Sequence, residues 1–66
     1  MTNNLWRIRR EKGLKQYQFA ARLGIDQGTL SKIENNLKEP SWPFVVDCAR
    51  ILGVNPEELF PDLKPR

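Results

Sequence analysis

Four residues in one short stretch are candidates to read the edge of a base pair, three by their side chains and one by its backbone: Gln27, Thr29 and Lys32, and Gly28. A glutamine amide bonds adenine N6 and N7 together. A threonine offers a methyl to thymine and a hydroxyl to a base or phosphate. A lysine one turn past position 28 reaches guanine O6 and N7, or a phosphate. Gly28 is unusual inside a helix and costs up to about 1 kcal/mol against alanine. It either makes room for close backbone approach or leaves part of the readout to its neighbours. Ser31 points more to the side. No acid occurs in residues 27–33. The bland alternative is the polar face of an ordinary amphipathic helix.

Two short helical patterns must position these side chains. Residues 16–33 read as a pair of helices joined by a turn over residues 23–26. Ala20 lets two helix axes approach closely. Gly24 falls where the first helix must stop, and glycine accepts the left-handed backbone of such a stop. Asp26 is expected to cap the second helix by accepting the backbone N–H of Gly28 or Thr29. Phe19, Leu23, Ile25, Leu30 and Ile33 point inward. The layout is that of a helix-turn-helix whose second helix, residues 27–35, enters a DNA major groove. Gln16, at the start of the first helix, is placed to hold a phosphate with its amide and the free backbone N–H groups.

The stretch resembles the helix-turn-helix of the phage Cro and repressor (XRE-like) family of transcription regulators. The match runs through Gln16, Ala20, Gly24, Leu30 and Ile33. It extends upstream to Leu5, Ile8, Arg9, Gly13 and Leu14, and downstream to Glu34, Asn35, Asn36, Pro40, Ala49, Leu52, Gly53, Val54 and Leu59, so that it covers roughly residues 3–60. The resemblance implies an Arg9–Glu34 ion pair tying the first helix to the end of the recognition helix. It implies that Gln16 braces the first residue of that helix, and that Asn36 and Lys38 touch phosphates beside the groove. Lys15 stands where the family usually has a Ser or Thr cap. This weakens the helix start and offers a phosphate contact instead. Asn36 replaces the usual glycine as a left-handed cap. The family dimerises near its last helices, which points here to Leu59 and Phe60, with Trp42 or Leu63 as further candidates.

The remaining pattern completes an all-α reading of five helices, near the architecture of a phage repressor DNA-binding domain. Leu5 and Ile8 share one face of a first helix over residues 3–12, begun by Thr2 or Asn3 and ended by Gly13. Trp6, one residue off that stripe, is expected at the core edge. Ser41 caps a fourth helix with the apolar stripe Phe44, Val45, Cys48, Ala49 and Leu52. Asn55, Pro56 and Glu58 open a last short helix over residues 56–60. Residues 1–61 form one domain, with the helix-turn-helix at 16–35, and residues 62–66 a loose tail.

Sixty-six residues with net charge +3 make one small domain. Residues 1–38 hold eight Lys/Arg against three acids, and residues 39–66 three against five, so the basic half carries the motif. One cysteine allows no internal disulfide, and without histidine Cys48 lacks partners for a metal site. It reads as a small buried thiol. Arg7, Arg9 and Arg10 interrupt any leader-like run, and no segment approaches a membrane span.

The expected protein is a cytoplasmic regulator, bacterial or phage-encoded, that binds double-stranded DNA as a homodimer on a palindromic operator, without cofactor or metal. The chain is expected to end where the family's DNA-binding domain ends. A restriction–modification controller or an antitoxin with a protein partner fits the same residues. A second class is an interaction module that has lost DNA binding. Catalysis is not expected: there is no histidine, paired carboxylate or glycine-rich phosphate loop.

Overall fold

Apolar residues at helical spacing and a stop after each run divide the chain into α1 (Leu5–Glu11), α2 (Gln16–Leu23), α3 (Gln27–Glu34), α4 (Trp42–Leu52) and α5 (Pro56–Leu59). This computed structural model describes residues 2–64, so Pro65 and Arg66 of the expected tail lie outside the described residues. Among the described residues there is no strand. Helix α2 packs on α3 and α4, and α4 packs on α5. Leu5, Phe19, Leu30, Val45, Cys48, Leu59 and Phe60 are fully buried at the centre. Leu23 and Ile25 are half-buried and pack against them.

Helix α2 stops as its composition demands. Gly24 takes φ 74°, and its N–H and that of Ile25 return to the carbonyls of Ala21 and Ala20. Asn36 does the same after α3 at φ 60°, with the Leu37 N–H on the Lys32 carbonyl at 2.8 Å. Ser41 Oγ caps α4 by accepting the Phe44 N–H at 3.3 Å.

Four expectations are corrected. Helix α1 starts at Leu5 rather than residue 3, because the preceding backbone is engaged elsewhere: the Asn4 N–H reaches the Leu59 carbonyl at 2.9 Å. Trp6 is 50% exposed, with the Arg10 guanidinium 4.9 Å above its ring, so a cation–π contact replaces core packing. Leu59 and Phe60 are each 0% exposed. A chain this short has few large side chains to fill its centre, and Phe19 and Phe60 are the largest fully buried ones. Neither Leu59 nor Phe60 therefore presents a side chain to a second subunit. The first residues of the tail are not loose: Asp62 Oδ2 accepts the Thr2 N–H at 2.8 Å, and the Leu63 N–H reaches the Phe60 carbonyl at 3.1 Å. The Thr2 N–H, with the Thr2 hydroxyl, lowers the Asp62 carboxyl pKa.

Candidate nucleic-acid interface

A chain of hydrogen bonds runs from α1 to the first residue of α3. Arg9 Nε donates to Glu34 Oε2 at 2.7 Å, and Arg9 NH2 to Glu34 Oε1 at 3.2 Å. Both side chains are buried, so the fork is desolvated and its geometry closely defined. Arg9 NH1 also donates to the Leu14 carbonyl at 2.8 Å. Glu34 Oε1 accepts a further bond from Gln16 Nε2 at 2.9 Å. Gln16 Oε1 in turn accepts from Gln27 Nε2 at 3.0 Å. Three helices are thus joined through four side chains, and the ends of α3 are held by separate members of the set.

Gln27 keeps its carbonyl oxygen and one amide hydrogen outside this chain, and it is exposed. Gly28 and Lys32 are exposed beside it, and Thr29 is half-buried. Lys15, Asn36 and Lys38 are exposed at the flanks, and Gln16 is half-buried between them and α3.

Asp26 departs from the expected cap. Its Oδ1 accepts the Thr29 hydroxyl, and no backbone N–H meets the carboxylate in full hydrogen-bond geometry. The Thr29 hydroxyl makes the closer contact because Thr29 lies one turn on with its side chain on the same side, and the Thr29 amide adds a weaker attraction. This hydroxyl is the main cause that lowers the Asp26 pKa, with the nearby Thr29 and Asp26 amides and Lys32 adding to it.

Two contributors escaped the sequence reading. Asn3 Nδ2 donates to the Ile33 carbonyl at 2.8 Å and to Asn36 Oδ1 at 3.1 Å, so the segment before α1 fastens the end of α3. Gln18 Oε1 accepts the Lys15 N–H at 3.0 Å and supplies the reciprocal half of a capping box, whose other half Lys15 cannot make. A glutamine three residues after the cap position was the available signal. Asn3 serves the start of the first helix as expected, its Oδ1 accepting the Leu5 N–H at 3.0 Å, but nothing local pointed to its bonds with the end of α3.

The helix-turn-helix family profile matches residues 7–59. The chain belongs to this Cro/repressor-type family of transcription regulators. It is 40% identical over 57 residues to the uncharacterized HTH-type transcriptional regulator y4dJ of Sinorhizobium fredii, covering 86% of this chain and 74% of that protein. Among solved structures it is similar to SinR in the SinR/SinI protein complex, at TM-score 0.80 and 30% identity, covering 89% of this chain. It spans 58% of that SinR chain. It is also similar to SinR, described as the master regulator for biofilm formation, in complex with DNA. The TM-score there is 0.74 at 31% identity, over 82% of this chain and 87% of that one. No described helix is long and apolar enough to cross a membrane.

Proposed function

We propose that this family member is a sequence-specific regulator that binds double-stranded DNA as a homodimer on a palindromic operator, with α3 in the major groove. The observation that carries the reading is the hydrogen-bonded chain from Arg9 through Glu34 and Gln16 to Gln27. It holds the start of α3 rigid while Gln27, Gly28 and Lys32 stay in solvent. A base-reading surface needs this preorganisation. Gln27, Gly28, Thr29 and Lys32 read bases; Gln16, Lys15, Asn36 and Lys38 contact phosphates. The solved complex of SinR with DNA supports the same docking for a chain of this likeness.

One such domain reads only a few base pairs, so useful specificity calls for two half-sites about one helical turn apart. With Leu59 and Phe60 inside the core, the dimer contact falls to Trp42 and Leu63. Both are half-buried and line a shared groove with Pro40 and Pro43. A protein partner is the second reading, supported by the solved complex of SinR with SinI.

The test is selection of random duplex DNA by the purified protein, with sequencing of the retained fraction. A palindromic consensus establishes readout and dimer together. Retention without any consensus overturns the sequence-specific reading, and retention of no duplex even at low salt favours an interaction module.

A further inference from the structure

The base-reading surface contains a carboxylate. Asp26 is exposed at the N-cap of α3, immediately before Gln27. A Cβ built on Gly28 would stand 3.2 Å from Asp26 Oδ2, its one neighbour within 4 Å. The carboxylate oxygen therefore lies beside the place where a residue-28 side chain would begin, in tight contact with it. Its other oxygen is held by the Thr29 hydroxyl. Gly28 therefore leaves the Asp26 carboxylate uncovered on the outer side, with one oxygen on the Thr29 hydroxyl and the other open to solvent.

We propose that Asp26 is a specificity-determining residue, whose Oδ2 accepts a hydrogen bond from the exocyclic amino group of a cytosine in the major groove. The inference rests on the DNA-binding reading above. A carboxylate is an acceptor only. Guanine and thymine present acceptor oxygens in the major groove and repel it. Adenine presents its amino group beside the N7 acceptor. Cytosine presents the amino donor alone. An exposed aspartate is ionised at neutral pH, and the Thr29 hydroxyl lowers its pKa further, so the repulsion is always present. A fixed negative charge facing a polyanion weakens binding everywhere except where a donor meets it, which makes it a device of discrimination rather than affinity.

The experiment repeats the duplex selection with Asp26→Asn and Asp26→Ser, both of which retain a capping side chain, after thermal melts establish that they fold. The wild type should prefer cytosine at one half-site position by about 5- to 150-fold, the span of 1–3 kcal/mol. Replacing that cytosine with its analogue lacking the amino group should cost the same factor. Asp26→Ser should lose this preference, and Asp26→Asn, which adds a donor beside its acceptor oxygen, should admit bases that present an acceptor; both should keep the rest of the consensus. A preference for adenine lost in the same variants overturns the assignment to cytosine. Variants that bind every sequence more tightly, with no consensus position altered, overturn the proposal and leave Asp26 as a surface charge that repels phosphate. A wild type that selects no consensus fails with the DNA-reading proposal itself; a consensus indifferent to Asp26 fails this inference alone.

Discussion

Gln27 Nε2 donates a 3.0 Å hydrogen bond to Gln16 Oε1, so the first residues of α2 and α3 are locked to each other. The bond uses one amide hydrogen and leaves Gln27 an acceptor and a donor for a base. Gln27→Ala should therefore cost on the order of 1–3 kcal/mol on the selected site and little on random duplex. Gln16→Ala should be non-additive with it, because the pair acts as a unit. A double-mutant cycle of binding free energies checks this; strict additivity would remove the bracing role.

The Arg9–Glu34 fork predicts a different loss. Removing one partner leaves a buried charge uncompensated, and Arg9→Met should lose about 3–5 kcal/mol of stability in urea unfolding. Replacing both partners by apolar residues should recover much of that loss. A single variant as stable as the wild type would show that Gln16 and solvent satisfy Glu34 unaided.

Lys38 lies exposed after α3, at the edge of the proposed groove contact. Lys38→Ala should weaken binding to all sequences alike and lower the salt slope by about one. An unchanged slope, read from titrations at several salt concentrations, takes Lys38 off the phosphate contacts.

Gly28 gives a prediction in the opposite direction. Its Cβ would press only on the Asp26 carboxylate, an exposed and movable group. Gly28→Ala should stabilise the helix by up to about 1 kcal/mol and raise the melting temperature by roughly 4–8 °C. A lower melting temperature would show that the carboxylate cannot give way.

Cys48 makes stability depend on alkaline pH. Burial, with Asp47 and Glu34 adding to it, pushes the thiol up to about 12, from an ordinary value of 9.0. The native thiol keeps its proton while the unfolded one releases it, so raising the pH favours unfolding. The contribution is intact below pH 9 and falls by about 1.4 kcal/mol per unit between there and 12. Cys48→Ala lacks this slope. The stability gap between wild type and variant should therefore narrow as the pH rises, by urea midpoints at pH 8 and 10.

Much of the fold is legible in the residues, because its signals are local. Helix α2 spans Gln16–Leu23 as its spacing demands, and Gly24 and Asn36 take the left-handed backbone expected of them. Resemblance, rather than spacing, brought Arg9 to Glu34, since nothing within either helix names a partner 25 residues away. The failures share that cause. Asn3 acts on carbonyls 30 residues on. Phe60 sits beside prolines and charges that suggest a surface, yet the interior of a small domain claims it. Asp26 chose between two donors of similar reach, a competition decided by side-chain geometry that sequence does not carry.

The contacts of Thr2 with Asp62, and of Asn4 with Glu58 and Leu59, bring the two ends of the described chain side by side. The path is nearly a closed ring, and its opening interrupts no contact that α3 makes with α2. Joining residues 2 and 62 by a short linker and reopening the ring at the exposed Gly53 would give a circular permutant that keeps α2 and α3 uncut.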